Sequence, residues 1–290
     1  MNFTFPEIIF ENKKRNPNEY SNIIKEIKSD ILKSLALAKS GHSGGAIGIT
    51  DVMAVLFFGG IMKYDSQNPN SPKRDRFVLS AGHYVPVLYS CLARAGYFPA
   101  SELATLRKLG SRLQGHPATV ESLPGIETTA GSLGQGISIA LGMAISDKLI
   151  DENERKVFCL TGDGELQEGS CWETAMAAGH YKLDNFCWIV DNNDCQIDGR
   201  VKDVMTIYPL ADKFKAFNFD VIEIDGNDVS QVISAFETFN SNYSNKTTGK
   251  PLCIIAKTKM GNGISFMHDK HQWHGNPPTV EQAEIALKEL

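Results

Sequence analysis

One local pattern recurs along the chain and limits the folds that it can adopt. Short apolar runs rich in β-forming residues end in polar or glycine-containing turns, and segments of helical composition separate these runs. The runs lie at residues 76–80, 157–160, 186–190, 219–224 and 252–256. Strands that alternate with helices are typical of a parallel sheet. We therefore expect an α/β fold with a parallel sheet and helices on both faces.

Apolar residues recur at helical spacing between these runs. The predicted helices cover residues 19–39, 52–58, the segment after 84, residues 101–109 behind a serine cap, and the segment after 136. Residues 1–18 lack this periodicity, so we expect a loose N-terminal arm. No linker-like break follows, and residues 19–290 are predicted to form a single domain.

Composition and charge narrow the class of function. The net charge of −5 and a pI near 5.8 argue against nucleic acid or an anionic membrane as the main partner. The six cysteines contain no C-x-x-C pair, and most lie in apolar runs, which predicts reduced core thiols. No apolar stretch approaches transmembrane length, and the N-terminus lacks the pattern of a signal peptide. We expect a cytoplasmic protein.

The stretch T-G-D-G-E-L-Q-E-G, residues 161–169, places Asp163 between two glycines directly after an apolar run. A dinucleotide-binding turn would need a third glycine where the chain has Gln167, and the Asp163 carboxylate would repel a diphosphate. The carboxylate becomes favourable when a divalent cation lies between it and the phosphates, held by oxygen ligands. The stretch therefore predicts a metal-bridged phosphate site.

Further oxygen donors follow the next predicted strand. Asp191, Asn192, Asn193 and Asp194 come directly after residues 186–190. The intervening segment accommodates one helix and one strand, and a parallel β–α–β unit brings both strand ends to one edge of the sheet. We expect the two polar stretches to meet there.

Four of the seven histidines lie in or beside glycine-containing loops: His42, His83, His116 and His274. A single loop histidine is most often an ordinary surface or core residue, but four in equivalent positions favour a shared site. Neutral imidazoles can hydrogen-bond sugar hydroxyls and move protons near neutral pH. The spacing of His268, His271 and His274 also suggests zinc, although no strong fourth ligand lies nearby.

Together these motifs resemble the transketolase family of thiamine-diphosphate enzymes. The family's order is followed by A-K-S-G-H-S-G-G, L-S-A-G-H-Y, L-Q-G-H-P, A-G-S-L-G-Q-G, G-D-G-E-L-Q-E-G, D-N-N-D-C and W-H-G-N-P-P. The resemblance extends from about residue 20 to the C-terminus and is greatest to the N-terminal subunits of split transketolases. It implies thiamine diphosphate and Mg²⁺ or Ca²⁺ as cofactors, and transfer of a two-carbon ketol unit from a ketose to an aldose.

The resemblance also implies roles for individual residues. The expected metal ligands are Asp163, the Asn193 side chain and the main-chain carbonyl of Cys195. The expected cofactor contacts are His83, Gly131, Ser132, Leu133, Gly164, Asn193 and His274. The expected catalytic set is His42, His116 and His274, with Glu168 in a carboxylate network between paired active sites. Tyr84 replaces a small residue of the family pattern, so we expect it to narrow the substrate channel.

The resemblance further implies a second chain. In the family, a glutamate on a separate pyrimidine-binding domain activates the cofactor, and no segment up to Leu290 resembles that domain. We expect a separate pyrimidine-domain subunit, self-association to a dimer, and a heterotetramer with two copies of each chain that acts on sugars.

Two alternatives remain open. The α-subunit of a 2-oxoacid dehydrogenase shares the metal motif and also needs a second chain, but it lacks the G-H-P and W-H-G histidines. A non-catalytic cofactor-fold subunit with a regulatory or scaffolding role is the other alternative. The presence of Asp163, Asn193 and the four histidines argues against this alternative, because a site that no longer binds a cofactor need not keep its ligand residues.

Overall fold

The computed structural model describes residues 3–290. Its helices are α1 (Ser21–Ala38), α2 (Gly44–Gly48), α3 (Thr50–Phe58), α4 (Val85–Arg94), α5 (Gln135–Ile145), α6 (Gly169–His180), α7 (Val201–Val204), α8 (Leu210–Ala216), α9 (Val229–Asn245) and α10 (Val280–Glu289). Its strands are β1 (Arg76–Leu79), β2 (Val157–Gly162), β3 (Phe186–Asp191), β4 (Cys195–Gln196), β5 (Gly199–Arg200), β6 (Asp220–Asp225) and β7 (Leu252–Lys257).

Five of these strands form one parallel sheet in the order β1-β2-β3-β7-β6. The central strands β2 and β3 are buried along their whole length, as expected for a sheet that is covered on both sides. Their register pairs Gly162 with Asp191, so the two strands end side by side. The remaining strands, β4 and β5, form a small antiparallel ribbon.

Two apolar layers sandwich the sheet, because successive strand side chains point to opposite faces. Phe158 and Leu160 pack with α1, α3, α4, α9 and α10 on one face. Cys159, Trp188 and Val190 pack with α5, α6 and α8 on the other. The predicted α/β fold with helices on both faces is confirmed.

The prediction of a helix at residues 101–109 is wrong. Only Ala100–Thr105 winds, as a 3₁₀ turn that Pro99 precedes, and Ser101 does not cap it. Arg107 then adopts a positive φ of 59°, which ends any helical path. Leu103 and Leu106 are both buried by this turn. A 3₁₀ turn also brings residues i and i+3 to the same side, so this short element accounts for the spacing that predicted a longer helix.

The N-terminal arm is packed rather than loose over its described part. Phe5 is buried in the core, and the Phe10 ring meets Phe58 edge-on at 5.6 Å. The Arg94 guanidinium donates to the main-chain carbonyls of Pro6 and Ile8. The domain boundary after residue 18 stays a prediction.

All six cysteines are free and buried, as the sequence predicts. Burial raises the pKa of the Cys159 and Cys187 thiols, which disfavours thiolate formation. Within residues 3–290, no helix combines the length and the apolar character needed to cross a membrane.

The buried ion pair between α1 and α4 is expected to dominate local stability. Arg94, fully buried, donates to both oxygens of Asp30 at 2.8 and 2.7 Å. We predict that Arg94→Met lowers the free energy of unfolding by about 3–5 kcal/mol, because it leaves the Asp30 carboxylate buried without its partner. Urea unfolding would measure the loss.

The matched control is Lys215→Met. Lys215 pairs with Asp212 at 3.8 Å on the surface, and its side chain is 60% exposed, so its loss should change stability by less than about 0.5 kcal/mol. Equal effects of the two substitutions would contradict the role given to the buried pair.

Candidate active site

The candidate site lies where three neighbouring strands of the sheet end. The turn after β1 carries His83, the turn after β2 carries Asp163, and the segment after β3 carries Asn193. Ligand sites of open α/β sheets lie at the carboxyl ends of strands. The predicted meeting of the two polar stretches is found: the Asp194 amide donates to Asp163 Oδ2 at 2.6 Å.

Glu165 joins the loops of the site, although the sequence did not single it out. Its buried carboxylate accepts from Ser80 Oγ at 2.5 Å and from the Gly134 and Gly162 amides at 2.8 and 3.3 Å. Burial raises the pKa of Glu165 to about 7, although these hydrogen bonds oppose the shift. The sequence could have indicated Glu165 because it is an acidic residue in the glycine-containing turn. Its partners Ser80 and Gly134 are distant in sequence, so their contacts with it were not predictable.

Three N–H donors hold the Asp163 carboxylate, and further oxygen atoms lie in the segment after β3. Asp163 Oδ1 accepts from the Gly164 amide at 2.8 Å, and Oδ2 accepts from Asn192 Nδ2 at 3.1 Å as well as from Asp194. Asn193 Oδ1 accepts from the Cys195 amide at 2.9 Å. The Cys195 main-chain carbonyl lies beside His274. The set offers carboxylate, amide and main-chain oxygens, the hard donors that Mg²⁺ and Ca²⁺ prefer.

The electrostatics of this set fit a cation. Burial, with the nearby Asp191 adding to it, raises the pKa of Asp163 to about 8. Burial likewise raises the pKa of Asp191 to about 6. Their hydrogen-bond donors are amides and hydroxyls of Gly164, Asn192, Asn193, Asp194, Tyr84 and Thr258. A divalent cation at Asp163 would favour the ionised carboxylate and offset its repulsion by the Asp191 carboxylate.

Three predicted histidines form one cluster. The ring centroids of His42, His83 and His274 lie 5.0 to 5.6 Å apart. His116 lies against Gly131, where an added Cβ would be 3.4 Å from its ring. Burial lowers the pKa of all four histidines, that of His42 to about 4. They are therefore neutral near pH 7 and able to donate and accept hydrogen bonds.

Two ring nitrogens of this cluster have no partner. His83 Nε2 and His274 Nδ1 are buried without any hydrogen bond. Both residues line a cavity of about 210 Å³, which is also bordered by Leu133, Asp163, Gly164, Glu168 and Cys195. Buried polar atoms without partners call for an explanation, and a polar ligand in this cavity would supply one.

The remaining predicted residues lie in two exposed segments, of which Leu133 and Glu168 border the same cavity. Gly131, Ser132 and Leu133 form the exposed loop that leads into α5. Glu168 is exposed and precedes the first residue of α6. The structure thus brings the predicted site residues to one edge of the sheet, while their individual roles stay predictions.

The narrowing of a substrate channel by Tyr84 stays a prediction: Tyr84 borders the cavity, while the residue is only 2% exposed and its hydroxyl contacts Asn193. The zinc alternative finds no support, because the described chain holds no group of three or more His, Cys, Asp or Glu arranged to bind a metal.

A parallel α/β domain with oxygen donors and histidines at adjacent strand ends has the layout of a cofactor-binding domain. The chain belongs to the transketolase family: the family described as "Transketolase, thiamine diphosphate binding domain" matches residues 19–289. This match favours transketolase over the 2-oxoacid dehydrogenase alternative.

Relatives of two lengths support the assignment. An apulose-4-phosphate transketolase subunit of Phocaeicola vulgatus is 42% identical over 253 residues, 87% of each chain. A 6-deoxy-6-sulfo-D-fructose transketolase subunit of Clostridium sp. is 39% identical over 270 residues, 93% of this chain and 94% of that one. Human transketolase is 41% identical over 261 residues, which are 89% of this chain but 40% of that protein.

Solved structures of transketolases support the family assignment. Transketolase from Leishmania mexicana superimposes with a TM-score of 0.84 at 33% identity, over 94% of this chain and 41% of that one. Transketolase from Campylobacter jejuni gives 0.82 at 34% identity, over 93% and 42%. The chain thus spans about two-fifths of the length of these transketolases.

The buried histidine cluster predicts a pH dependence of stability. The folded pKa of His42 lies near 4, whereas an unfolded histidine titrates near 6.5. As pH falls through this window, the unfolded state binds a proton that the folded state excludes, so stability decreases. We predict that His42→Asn reduces the loss of unfolding free energy between pH 7.5 and pH 5 by on the order of 1 kcal/mol. Urea unfolding at both pH values measures this, and an identical loss in both proteins would refute it.

Proposed function

We propose that this chain is the thiamine-diphosphate- and metal-binding subunit of a split transketolase that moves a two-carbon ketol unit from a ketose to an aldose. One observation carries the proposal: the buried oxygen donors at Asp163 adjoin a cavity bordered by neutral histidines with unpartnered ring nitrogens. The bound cofactor supplies the carbon–carbon bond chemistry, and the protein supplies binding, orientation and proton positions.

The metal and the diphosphate are held at the ends of β2 and β3. Asp163, the Asn193 amide oxygen and the Cys195 carbonyl ligate Mg²⁺ or Ca²⁺. Gly164, which borders the cavity beside Asp163, presents its main chain to the diphosphate. Gly131, Ser132 and Leu133 contact the cofactor from the exposed loop whose Leu133 borders the cavity.

The histidines orient the substrates. His83 and His274 direct unpartnered ring nitrogens toward the cofactor, and His42, His116 and His274 hydrogen-bond the sugar. Because burial keeps these rings neutral, each can hold a proton on one nitrogen and accept one on the other. Glu168 is exposed at the rim, and in the proposed dimer it would face the second active site.

The partner proposal rests on exposed apolar surface beside the cavity. Leu133, Ile139 and Met176 are 37%, 39% and 58% exposed. Cβ atoms added at Gly142 or Gly169 would meet nothing within 4 Å. Helices α5 and α6, which carry most of these residues, pack together and offer exposed apolar side chains for self-association. A pyrimidine-domain subunit then completes each site, giving two copies of each chain.

The substrates belong to the class of ketoses and aldoses, including phosphorylated or otherwise acidic sugars. The names of two relatives specify apulose 4-phosphate and 6-deoxy-6-sulfo-D-fructose as substrates of those proteins. The donor and acceptor of this chain are to be identified by assay of the complex.

We predict that Asp163→Ala abolishes binding of thiamine diphosphate in the presence of Mg²⁺, because the diphosphate would face an under-ligated cation. Calorimetry measures this. The control is Asp198→Ala, which removes an exposed carboxylate at the rim of the same cavity and should leave affinity within a factor of about two. An unchanged affinity of Asp163→Ala for thiamine diphosphate would contradict the proposal that a metal bridges Asp163 and the diphosphate.

We predict that the purified chain alone lacks ketol-transferase activity and gains it when mixed with a pyrimidine-domain subunit. The measurement is a ketose-donor assay with and without that subunit, together with molar mass by light scattering. Full activity in a monodisperse monomer would contradict the split-enzyme proposal. A complex that binds cofactor but transfers no ketol unit would favour the non-catalytic alternative.

A further inference from the structure

Tyr84 is enclosed beneath the proposed metal site. It ends the 3₁₀ turn Gly82–Tyr84 after β1, and its ring meets the His83 ring edge-on at 4.4 Å. Gly45 makes room for it, because a Cβ at position 45 would overlap the Tyr84 ring and its hydroxyl. A Cβ at Gly162 would lie 3.9 Å from the same oxygen, so the Tyr84 hydroxyl sits at the end of β2.

The Tyr84 hydroxyl meets the Asn193 amide group. Asn193 Nδ2 donates to the Tyr84 hydroxyl at 3.0 Å and to Asp191 Oδ2 at 2.6 Å. Both amide hydrogens are therefore used, and Oδ1 must be the atom that faces the Cys195 amide at 2.9 Å. The Tyr84 and Asp191 acceptors at Nδ2 and the Cys195 donor at Oδ1 together fix which way the amide is turned, a choice that asparagine otherwise leaves open.

Asp191 completes the arrangement from the other side. Its carboxylate is fully buried and accepts from the Thr258 hydroxyl as well as from Asn193. The Tyr84 hydroxyl also faces this carboxylate, which gives its own hydrogen an acceptor. Tyr84, Asp191 and Asn193 thus form a closed hydrogen-bonded set in which each polar hydrogen has a partner.

We propose that Tyr84 is a positioning residue that turns the Asn193 amide oxygen toward the divalent cation, so that metal affinity depends on the Tyr84 hydroxyl. The inference rests on the proposed function, in which Asn193 is a metal ligand. Outer-shell partners of this kind orient the direct ligands of a metal, and their loss weakens binding roughly 10-fold or more.

Tyr84→Phe tests the proposal because it keeps the ring, and with it the contacts to His83 and Gly45, while removing only the hydroxyl. We expect the dissociation constant of Mn²⁺ to rise roughly 10-fold at saturating thiamine diphosphate. The free-Mn²⁺ signal in electron paramagnetic resonance measures it. At saturating Mn²⁺, affinity for thiamine diphosphate should return to nearly the wild-type value.

The control is Tyr89→Phe. Tyr89 is also buried, lies on α4 and bonds the His116 carbonyl at 3.4 Å, away from Asn193. The Tyr89→Phe substitution should leave Mn²⁺ affinity unchanged. A thermal melt without metal should show that both variants are folded. Mn²⁺ affinity in Tyr84→Phe equal to wild type, or an equal loss in Tyr89→Phe, would overturn the inference.

Asp163→Ala separates this inference from the proposed function. If Asp163→Ala loses Mn²⁺ binding and Tyr84→Phe keeps it, the metal site stands and the role of Tyr84 fails. If wild type and Asp163→Ala bind Mn²⁺ equally, or the wild-type chain binds none, the metal site itself fails and the inference with it.

Discussion

The site depends on two carboxylates that the sheet forces together. Because Gly162 of β2 pairs with Asp191 of β3, the carboxylates of Asp163 and Asp191 are buried side by side at the same edge. Burial and mutual repulsion raise the pKa of Asp163, and its neighbouring loop is arranged to oppose that shift. Amides of Gly164, Asn192 and Asp194 all donate to Asp163. The loop after β3 folds as it does because these donors must face one buried charge.

Asp194 shows how the backbone serves this arrangement. Its φ of 57° lies in the left-handed region, which aspartate tolerates better than most residues. In that conformation its amide points at Asp163 while its side chain accepts from the Lys202 amide at 3.0 Å. Every residue of β2 and β3 is buried. Rigid apolar strands thus fix the positions from which the polar loops begin.

The sequence predicted much of this because the informative residues are local. Apolar runs located the strands, and Asp163 was identified because it follows one of them. The family resemblance singled out Asn193 among the polar residues after the next run. What it could not predict depends on contacts between distant segments. Glu165 acts through Ser80 and Gly134, and Tyr84 acts through Asn193 and Gly45. The spacing of Leu103 and Leu106 predicted a helix, although the same burial is reached by a 3₁₀ turn followed by a positive φ at Arg107.

The central claim is that a divalent cation makes this acidic strand edge a diphosphate site. The most direct measurement is calorimetry of thiamine diphosphate with the wild-type chain, once in Mg²⁺ and once in a chelator. We expect measurable binding in Mg²⁺ and binding too weak to detect in the chelator, because the diphosphate then loses the cation that bridges it to Asp163. Equal affinity under both conditions would contradict the claim.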